Sequence, residues 1–159
     1  MSTTKPVLVR AAEAEVLPAA GVTLFADVTD TGGHLTSHRS LLRPGKDSAP
    51  PHQHKEASEL FFVLTGSLRV LLGDDLITLA KGDVLVVPPN TPHAFEAAGD
   101  EDTEVFFVLT HAKPRFDYYR LLERVYRGET AASDLAKTSN LYDNHYIESP
   151  TWNGRVSGR

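Results

Sequence analysis

Short apolar runs separated by turn residues occupy the chain from Val22 to about Thr110. Most of these runs alternate apolar and polar residues, and glycine or proline stands in most of the joints between them. Because alternation places every second side chain on the same face of a strand, each run predicts a β-strand with a buried face. Many short strands with such joints are typical of a β-sandwich or barrel, so the fold class is all-β. The predicted strands are Val22–Val28, His34–Leu42, Glu59–Leu64, Ser67–Gly73, Leu76–Ala80, Asp83–Pro88, His93–Ala98 and Thr103–Thr110.

The periodicity of the sequence changes after Pro114. Apolar residues then recur on one side of an α-helix that is expected to end near Gly128. A second, shorter helix is expected at Ser133–Lys137, and the aromatic segment Leu141–Trp152 is expected to be extended. The apolar face of the first helix consists of Phe116, Tyr119, Leu122, Val125 and Tyr126.

These patterns divide the chain into three parts. Residues 1–21 form an N-terminal arm, residues 22–112 form the barrel, and residues 113–159 form a helical and extended segment. The apolar helix face needs a partner, so we expect the last segment to pack on the barrel. A homodimer contact through the same helix stays open.

The composition of the chain excludes several classes of site and partner. The 159 residues carry a formal net charge of −5, which argues against a nucleic-acid partner. The chain has no cysteine, so disulfides, thiolate catalysis and cysteine-bound metals are excluded. No apolar run approaches the roughly 20 residues of a membrane-spanning helix, and the N-terminus lacks the apolar core of a secretory signal. We therefore expect a cytoplasmic protein without a membrane partner that acts on a small molecule.

Three histidines and one glutamate form the candidate chemistry. His52 and His54 flank a single residue, Glu59 opens the next apolar run, and His93 follows a proline-rich turn at the start of another strand. If these strands line one barrel, the four side chains converge as ligands for a divalent transition metal. A metal would also supply the partner that a buried Glu59 needs. The alternative, surface histidines and a solvated glutamate, is weakened by the joint pattern.

Apolar side chains are expected beside these ligands. Two of them share a strand face with Glu59 and a third follows His93 by two residues, so they are predicted to line the substrate pocket. Filling the core is the equal alternative, since small barrels pack their interiors with side chains. His34 and His38 are expected at the surface, although a substrate role for one of them is left open. The predicted substrate-binding residues are Phe61, Val63 and Phe95.

At these positions the chain resembles the cupin superfamily. The first cupin motif is a glycine, five or six residues, HxH, three or four residues, glutamate, six residues and a glycine. Here Gly45, His52, His54, Glu59 and Gly66 stand in that arrangement.

The second cupin motif is a glycine, five residues, proline, one residue, glycine, two residues, histidine, three residues and asparagine. Gly82, Pro88 and His93 fit it, whereas Asn90 replaces the second glycine and Ala97 replaces the final asparagine. Asparagine tolerates a positive φ better than other non-glycine residues, so we expect the turn at Asn90 to survive.

The resemblance implies a double-stranded β-helix, or jelly-roll, cupin barrel of the single-domain metal-binding kind. It implies one divalent transition metal ion (Fe, Mn, Ni, Co, Cu or Zn) held by His52, His54, Glu59 and His93. We expect a dioxygenase-like enzyme, as in quercetinase-like cupins, acting on a small enolic, phenolic or diketone-like substrate. Glu59 is a candidate proton acceptor if it leaves the metal. The alternatives are a non-oxidative lyase, isomerase or cyclase, and a non-catalytic small-molecule-binding cupin.

Overall fold

Two antiparallel β-sheets and a helical C-terminal segment make up the protein in a computed structural model that describes residues 5–155. The helices are α1 Phe116–Tyr126, α2 Ser133–Ala136, α3 Ser139–Tyr142 and α4 Pro150–Asn153, with a 3₁₀ turn at Ala11–Glu13. The strands are β1 Glu15–Leu17, β2 Val22–Ala26, β3 Leu35–Leu42, β4 Ser48–Gln53, β5 Ser58–Thr65, β6 Ser67–Leu72, β7 Asp75–Ala80, β8 Val84–Val87, β9 His93–Ala97, β10 Thr103–Thr110 and β11 His145–Tyr146.

The strand order is that of a jelly roll. One sheet runs β1-β2-β3-β10-β5-β8 and the other runs β11-β4-β9-β6-β7. Among the described residues no strand of one sheet pairs with a strand of the other, so the predicted barrel is built as two sheets packed face to face. The predicted all-β jelly-roll fold with a helical C-terminal extension is confirmed. Its ends, residues 1–4 and 156–159, lie outside the described residues.

Alternation along the strands builds the core between the sheets. In β10, Val105, Phe107 and Leu109 are fully buried, while the residues between them are only partly buried. Phe107 packs against Phe61 of the same sheet and Phe95 of the opposite sheet, with ring centroids 4.9 and 5.0 Å apart. The apolar positions predicted from the period of two are therefore the ones that join the sheets.

The C-terminal segment packs on the first strands of the chain, and α1 begins where Asp27 accepts hydrogen bonds from the backbone N–H groups of Arg115 and Phe116. The predicted face of α1 largely holds, but Tyr126 is 42% exposed whereas Glu123 is buried. The Glu123 carboxylate accepts hydrogen bonds from the N–H groups of Ala19 and Ala20, which explains a buried charge on this face.

The expectation of an extended tail at 141–152 is wrong in part. The tail contains the end of α3, the two-residue strand β11 and the helix α4. Ser149 caps α4 by accepting a hydrogen bond from the N–H of Trp152, and Pro150 occupies the first helical position. This serine–proline pair is a local helix-start signal that the aromatic composition of the tail obscured. No helix within residues 5–155 has the length and hydropathy required to cross a bilayer.

His38 is buried, and the expectation of a surface histidine is wrong. The residue is 4% exposed, and its ring stacks on Phe107 of the adjacent strand and contacts the tilted ring of Tyr119 in α1, with ring centroids 4.8 and 4.4 Å apart. Tyr119 of the helix covers His38 in the middle of β3, a long-range contact that the strand pattern did not reveal. Burial, which outweighs the opposing charge of Glu59, lowers the pKa of His38 to about 3.

This burial predicts a pH-dependent stability. Between pH 6.5 and about 3 the unfolded chain binds a proton at position 38 that the folded chain does not, so stability falls as the pH is lowered. In His38→Phe, the slope of the free energy of unfolding against pH should decrease by about 1.4 kcal/mol per pH unit in this window. Urea unfolding at several pH values measures the slope. The exposed His34 supplies the control variant His34→Phe, and an unchanged slope in His38→Phe would contradict the assignment.

Candidate metal centre

The four predicted ligand residues meet between the two sheets. His52 is the second-last residue of β4, and it pairs in register with His93, the first residue of β9. His54 follows directly after β4. Glu59 extends from β5 in the opposite sheet. All four side chains are buried, and their ligand atoms lie within 4.8 Å of one another. The convergence expected from the HxH, glutamate and histidine spacing is therefore present.

Each histidine ring is oriented by a hydrogen bond at Nδ1. Nδ1 of His52 lies 2.8 Å from the carbonyl oxygen of Pro50, and Nδ1 of His93 lies 2.8 Å from that of Thr91. Nδ1 of His54 reaches the carbonyl oxygen of Asp143 at 2.6 Å. A carbonyl only accepts, so all three Nδ1 atoms donate and each neutral ring has its lone pair at Nε2. Metal-binding histidines are oriented in the same way.

The lone pairs point at another acceptor. Nε2 of His54 and Nε2 of His93 lie 3.1 and 2.9 Å from the same oxygen, Oε2 of Glu59. Protonating both rings would put two cations with ring centroids 5.2 Å apart in a dry interior, where they repel strongly. A divalent cation between the nitrogens and the carboxylate satisfies all three groups. Two ligands about 2.1 Å from one octahedral ion and at right angles to each other lie about 3.0 Å apart, which matches the two observed contacts.

The protonation states suit a metal. Burial alone would raise the pKa of Glu59, but hydrogen bonds from His54 and His93 and the positive charge that these rings carry when protonated hold it well below its usual range. A divalent ion in the place of those protons has the same effect. Burial, together with the neighbouring His93 and His54 rings, lowers the pKa of His52 well below its ordinary value. At neutral pH Glu59 is therefore a carboxylate and His52 a neutral imidazole, the forms that bind metal ions. A single ion fits this set, whose oxygen and nitrogen donors are common to several divalent transition metals.

Asp143 holds the loop that carries His54, and sequence reasoning missed it. Besides its carbonyl contact with His54, its carboxylate accepts hydrogen bonds from the backbone N–H groups of Lys55, Glu56 and Ala57. Burial raises the pKa of Asp143, but these three donors lower it more. The two-residue strand β11 pairs with β4 directly after Asp143. The C-terminal segment is thus part of the metal centre.

Two turn positions of the motifs show why their residue types matter. Asn90 has a φ of 60°, as expected of a residue that replaces glycine, and its N–H donates to the carbonyl of His54 at 2.6 Å. Gly66 has a φ of 72°, and a Cβ there would lie 2.7 Å from the carbonyl oxygen of Asp102. Asn90 thus links the turn before His93 to the loop that carries His54. Gly66 allows the chain to turn from β5 into β6 beside the start of β10.

The predicted substrate-binding residues lie in the core between the two sheets. Phe61 and Val63 are completely buried and Phe95 is 9% exposed, all in the core between the sheets. Phe61 contacts His93 edge-on, with ring centroids 6.0 Å apart. The contact of these three residues with a substrate stays a prediction, as does proton acceptance by Glu59.

Comparison with known proteins agrees with the geometry. A family model described as a cupin domain matches residues 38–109. An uncharacterized protein of Methanocaldococcus jannaschii is 33% identical over 49 residues, 31% of this chain and 39% of its own length. The polyketide synthase CurC of Streptomyces cyaneus is 29% identical over 76 residues, 48% of this chain and 49% of its own length. The matched regions thus span less than half of either relative.

Two solved structures share the fold. KdgF from Halomonas sp. superposes with a TM-score of 0.51 and 25% identity, over 62% of this chain and 85% of that one. A protein of Thermotoga maritima described as a predicted oxalate decarboxylase superposes with a TM-score of 0.56 and 22% identity. That alignment covers 65% of this chain and 98% of the Thermotoga protein, and its likeness concerns the fold alone.

The contacts of Asp143 predict an effect on metal affinity. In Asp143→Asn one of the two carboxylate oxygens becomes a donor, so the ligand loop loses acceptors while the left-handed backbone, φ 53°, remains tolerable. The dissociation constant for Zn²⁺ or Co²⁺, measured by chelator competition, should rise about tenfold. Asp100→Asn makes the same substitution at an exposed position outside the metal centre and is the matched control. Equal affinities in all three proteins would contradict the role of Asp143.

Proposed function

Because the chain is a member of the cupin superfamily, with its cupin domain at residues 38–109, we propose that it is a metal-dependent enzyme acting on a small enolic, phenolic or diketone-like substrate. Three Nδ1–carbonyl hydrogen bonds support the proposal most strongly, because they leave the Nε2 atom of each ring free for a metal, with those of His54 and His93 facing the Glu59 carboxylate. A purely structural role for four buried polar side chains would be costly, since apolar residues would fill the same space at lower desolvation cost.

The donor set suits an anionic oxygen ligand. One carboxylate and three neutral imidazoles leave a bound divalent ion with a charge of about +1. A divalent metal held there supplies a Lewis acid for a substrate oxyanion and, if it is redox-active, chemistry with O₂. The residues of this chain orient that ion through the carbonyls of Pro50, Asp143 and Thr91, and they exclude water because all four ligands are buried. An octahedral ion would keep two positions for the substrate.

Oxygenation is the reaction we favour, because nitrogen-rich sites with one carboxylate and open positions are typical of non-haem iron oxygenases. Glu59 is the one ionisable ligand, so it would accept a proton only by leaving the ion. A non-oxidative lyase, isomerase or cyclase is the second candidate. It is supported by the similarity to the polyketide synthase CurC, since polyketide chains carry the enolisable dicarbonyl groups that such a site would bind.

Oxygen uptake separates these possibilities. Protein loaded with Fe²⁺ and given pentane-2,4-dione in an oxygen electrode should consume about one O₂ per dione, with product formation followed by mass spectrometry. The metal-binding variant His52→Ala should lose this activity, whereas His34→Ala, at an exposed position, should retain it. Loss of the dione without O₂ uptake would contradict oxygenation and favour the non-oxidative candidate. Binding of the dione with no conversion under any metal would contradict an enzymatic role.

A further inference from the structure

A cation lies buried beside the metal centre. Arg115, the residue before α1, is 4% exposed, yet guanidinium groups are rarely buried without an anionic partner. Its Nε donates to the hydroxyl of Tyr119 at 3.4 Å and its Nη1 donates to the carbonyl oxygen of Tyr142 at 2.7 Å. The guanidinium also lies over the rings of Tyr118 and Tyr119, 5.0 and 5.6 Å from their centroids.

Within residues 5–155, every side-chain partner of Arg115 is a neutral group. Asp27 does contact Arg115, but it accepts a hydrogen bond from the backbone N–H and not from the guanidinium. The guanidinium is charged at every physiological pH. A buried charge held by neutral groups alone is a costly arrangement, and a bound anion would offset the cost.

The contacts of Arg115 lead directly to the metal ligands. The carbonyl that accepts from its Nη1 belongs to Tyr142, and the next carbonyl along the chain, that of Asp143, accepts from Nδ1 of His54. The guanidinium and a ligand ring are therefore held by two consecutive peptide groups. Burial, the largest influence, lowers the pKa of Arg115 and raises that of Tyr119. The negative charge of Glu59 raises both pKa values, so Glu59 interacts with both groups.

A buried ring nitrogen close to Arg115 lacks a hydrogen-bond partner. Nδ1 of His38 is the one buried side-chain nitrogen or oxygen of the described residues that makes no hydrogen bond. The His38 ring contacts Tyr119, whose hydroxyl contacts Arg115, so the three side chains form one cluster next to the ligands. This cluster, Arg115–Tyr119–His38, combines a cation that has no anionic hydrogen-bond partner with a neutral nitrogen that makes no hydrogen bond.

The charges of the metal centre and of Arg115 indicate which kind of ligand the cluster would bind. A divalent ion on Glu59 and the histidines carries a charge of about +1, and Arg115 adds about one more in a dry interior. A substrate with two oxygen anions, one for the ion and one for Arg115, would neutralise both. The planar fork of a guanidinium matches the planar carboxylate in particular.

We propose that the Arg115–Tyr119–His38 cluster binds a substrate carboxylate, so that an enolisable oxo acid is preferred over a neutral dicarbonyl compound. The inference rests on the proposed function, because it places the other end of the same substrate at the metal. Arg115 acts as the specificity-determining residue. His38 is neutral at physiological pH and supplies a hydrogen bond without adding charge.

The test compares three probes that share one chelating group: 2,4-dioxopentanoate, its methyl ester and pentane-2,4-dione. Isothermal titration calorimetry of the Co²⁺-loaded protein reports binding, and visible absorption reports coordination to the ion. The acid should bind about tenfold to a hundredfold more tightly than the ester, as expected for one charged hydrogen-bonded pair. In Arg115→Gln this preference should vanish, while cobalt content and affinity for the neutral dione stay unchanged.

Arg120→Gln is the matched control, because Arg120 lies on the same helix with its side chain 45% exposed and paired to Glu15 and Asp117. It should keep the preference for the acid. Arg115→Lys, which retains the charge but not the fork, should keep only part of it, and it serves if Arg115→Gln does not fold.

The outcomes distinguish this inference from the proposed function. Equal affinity of the wild type for acid and ester, with the cobalt spectrum responding to both, would overturn the carboxylate site and leave the metal-dependent function standing. Acid binding by calorimetry that requires Arg115 but leaves the cobalt spectrum unchanged would support the carboxylate site and contradict the proposed function. Absence of any binding would contradict both.

Discussion

Three hydrogen bonds from histidine Nδ1 atoms to backbone carbonyls fix the chemistry of this protein. They belong to His52, His54 and His93, and they leave the Nε2 atoms of His54 and His93 facing the carboxylate of Glu59, with the His52 ring beside them. Lone pairs facing an anion repel one another unless a cation lies between them. A metal ion removes this repulsion without placing two protonated rings with centroids 5.2 Å apart in the interior, and the two sheets supply the rigid frame that holds the site.

The C-terminal segment completes the centre from outside the jelly roll. Asp143 supplies the carbonyl for His54 and caps three backbone N–H groups of the ligand loop. The preceding carbonyl, that of Tyr142, holds the buried guanidinium of Arg115. The helices after the last long strand thus orient one ligand and place a positive charge beside it, which links substrate selection to the same segment that secures the metal.

The four ligands could be predicted from the sequence because their spacing is local: HxH occupies one strand end, Glu59 starts the next strand, and His93 follows a turn. The register that brings His52 opposite His93 was not predicted, because the sequence pattern indicated no strand at residues 48–53. Asp143 and Arg115 could not be predicted, because their contacts join residues far apart in sequence and depend on how the helices pack. The same packing buries His38, whose strand pattern alone fits a surface position equally well.

The location of a bound metal ion is the most direct test of the proposed metal site. Crystals of protein purified without a metal-affinity tag and soaked in Co²⁺ would be measured at the cobalt absorption edge. The account predicts one anomalous peak per chain, about 2.0–2.3 Å from Nε2 of His52, His54 and His93 and from an oxygen of Glu59. A peak at Nδ1 atoms or elsewhere on the chain, or no peak at all, would contradict it.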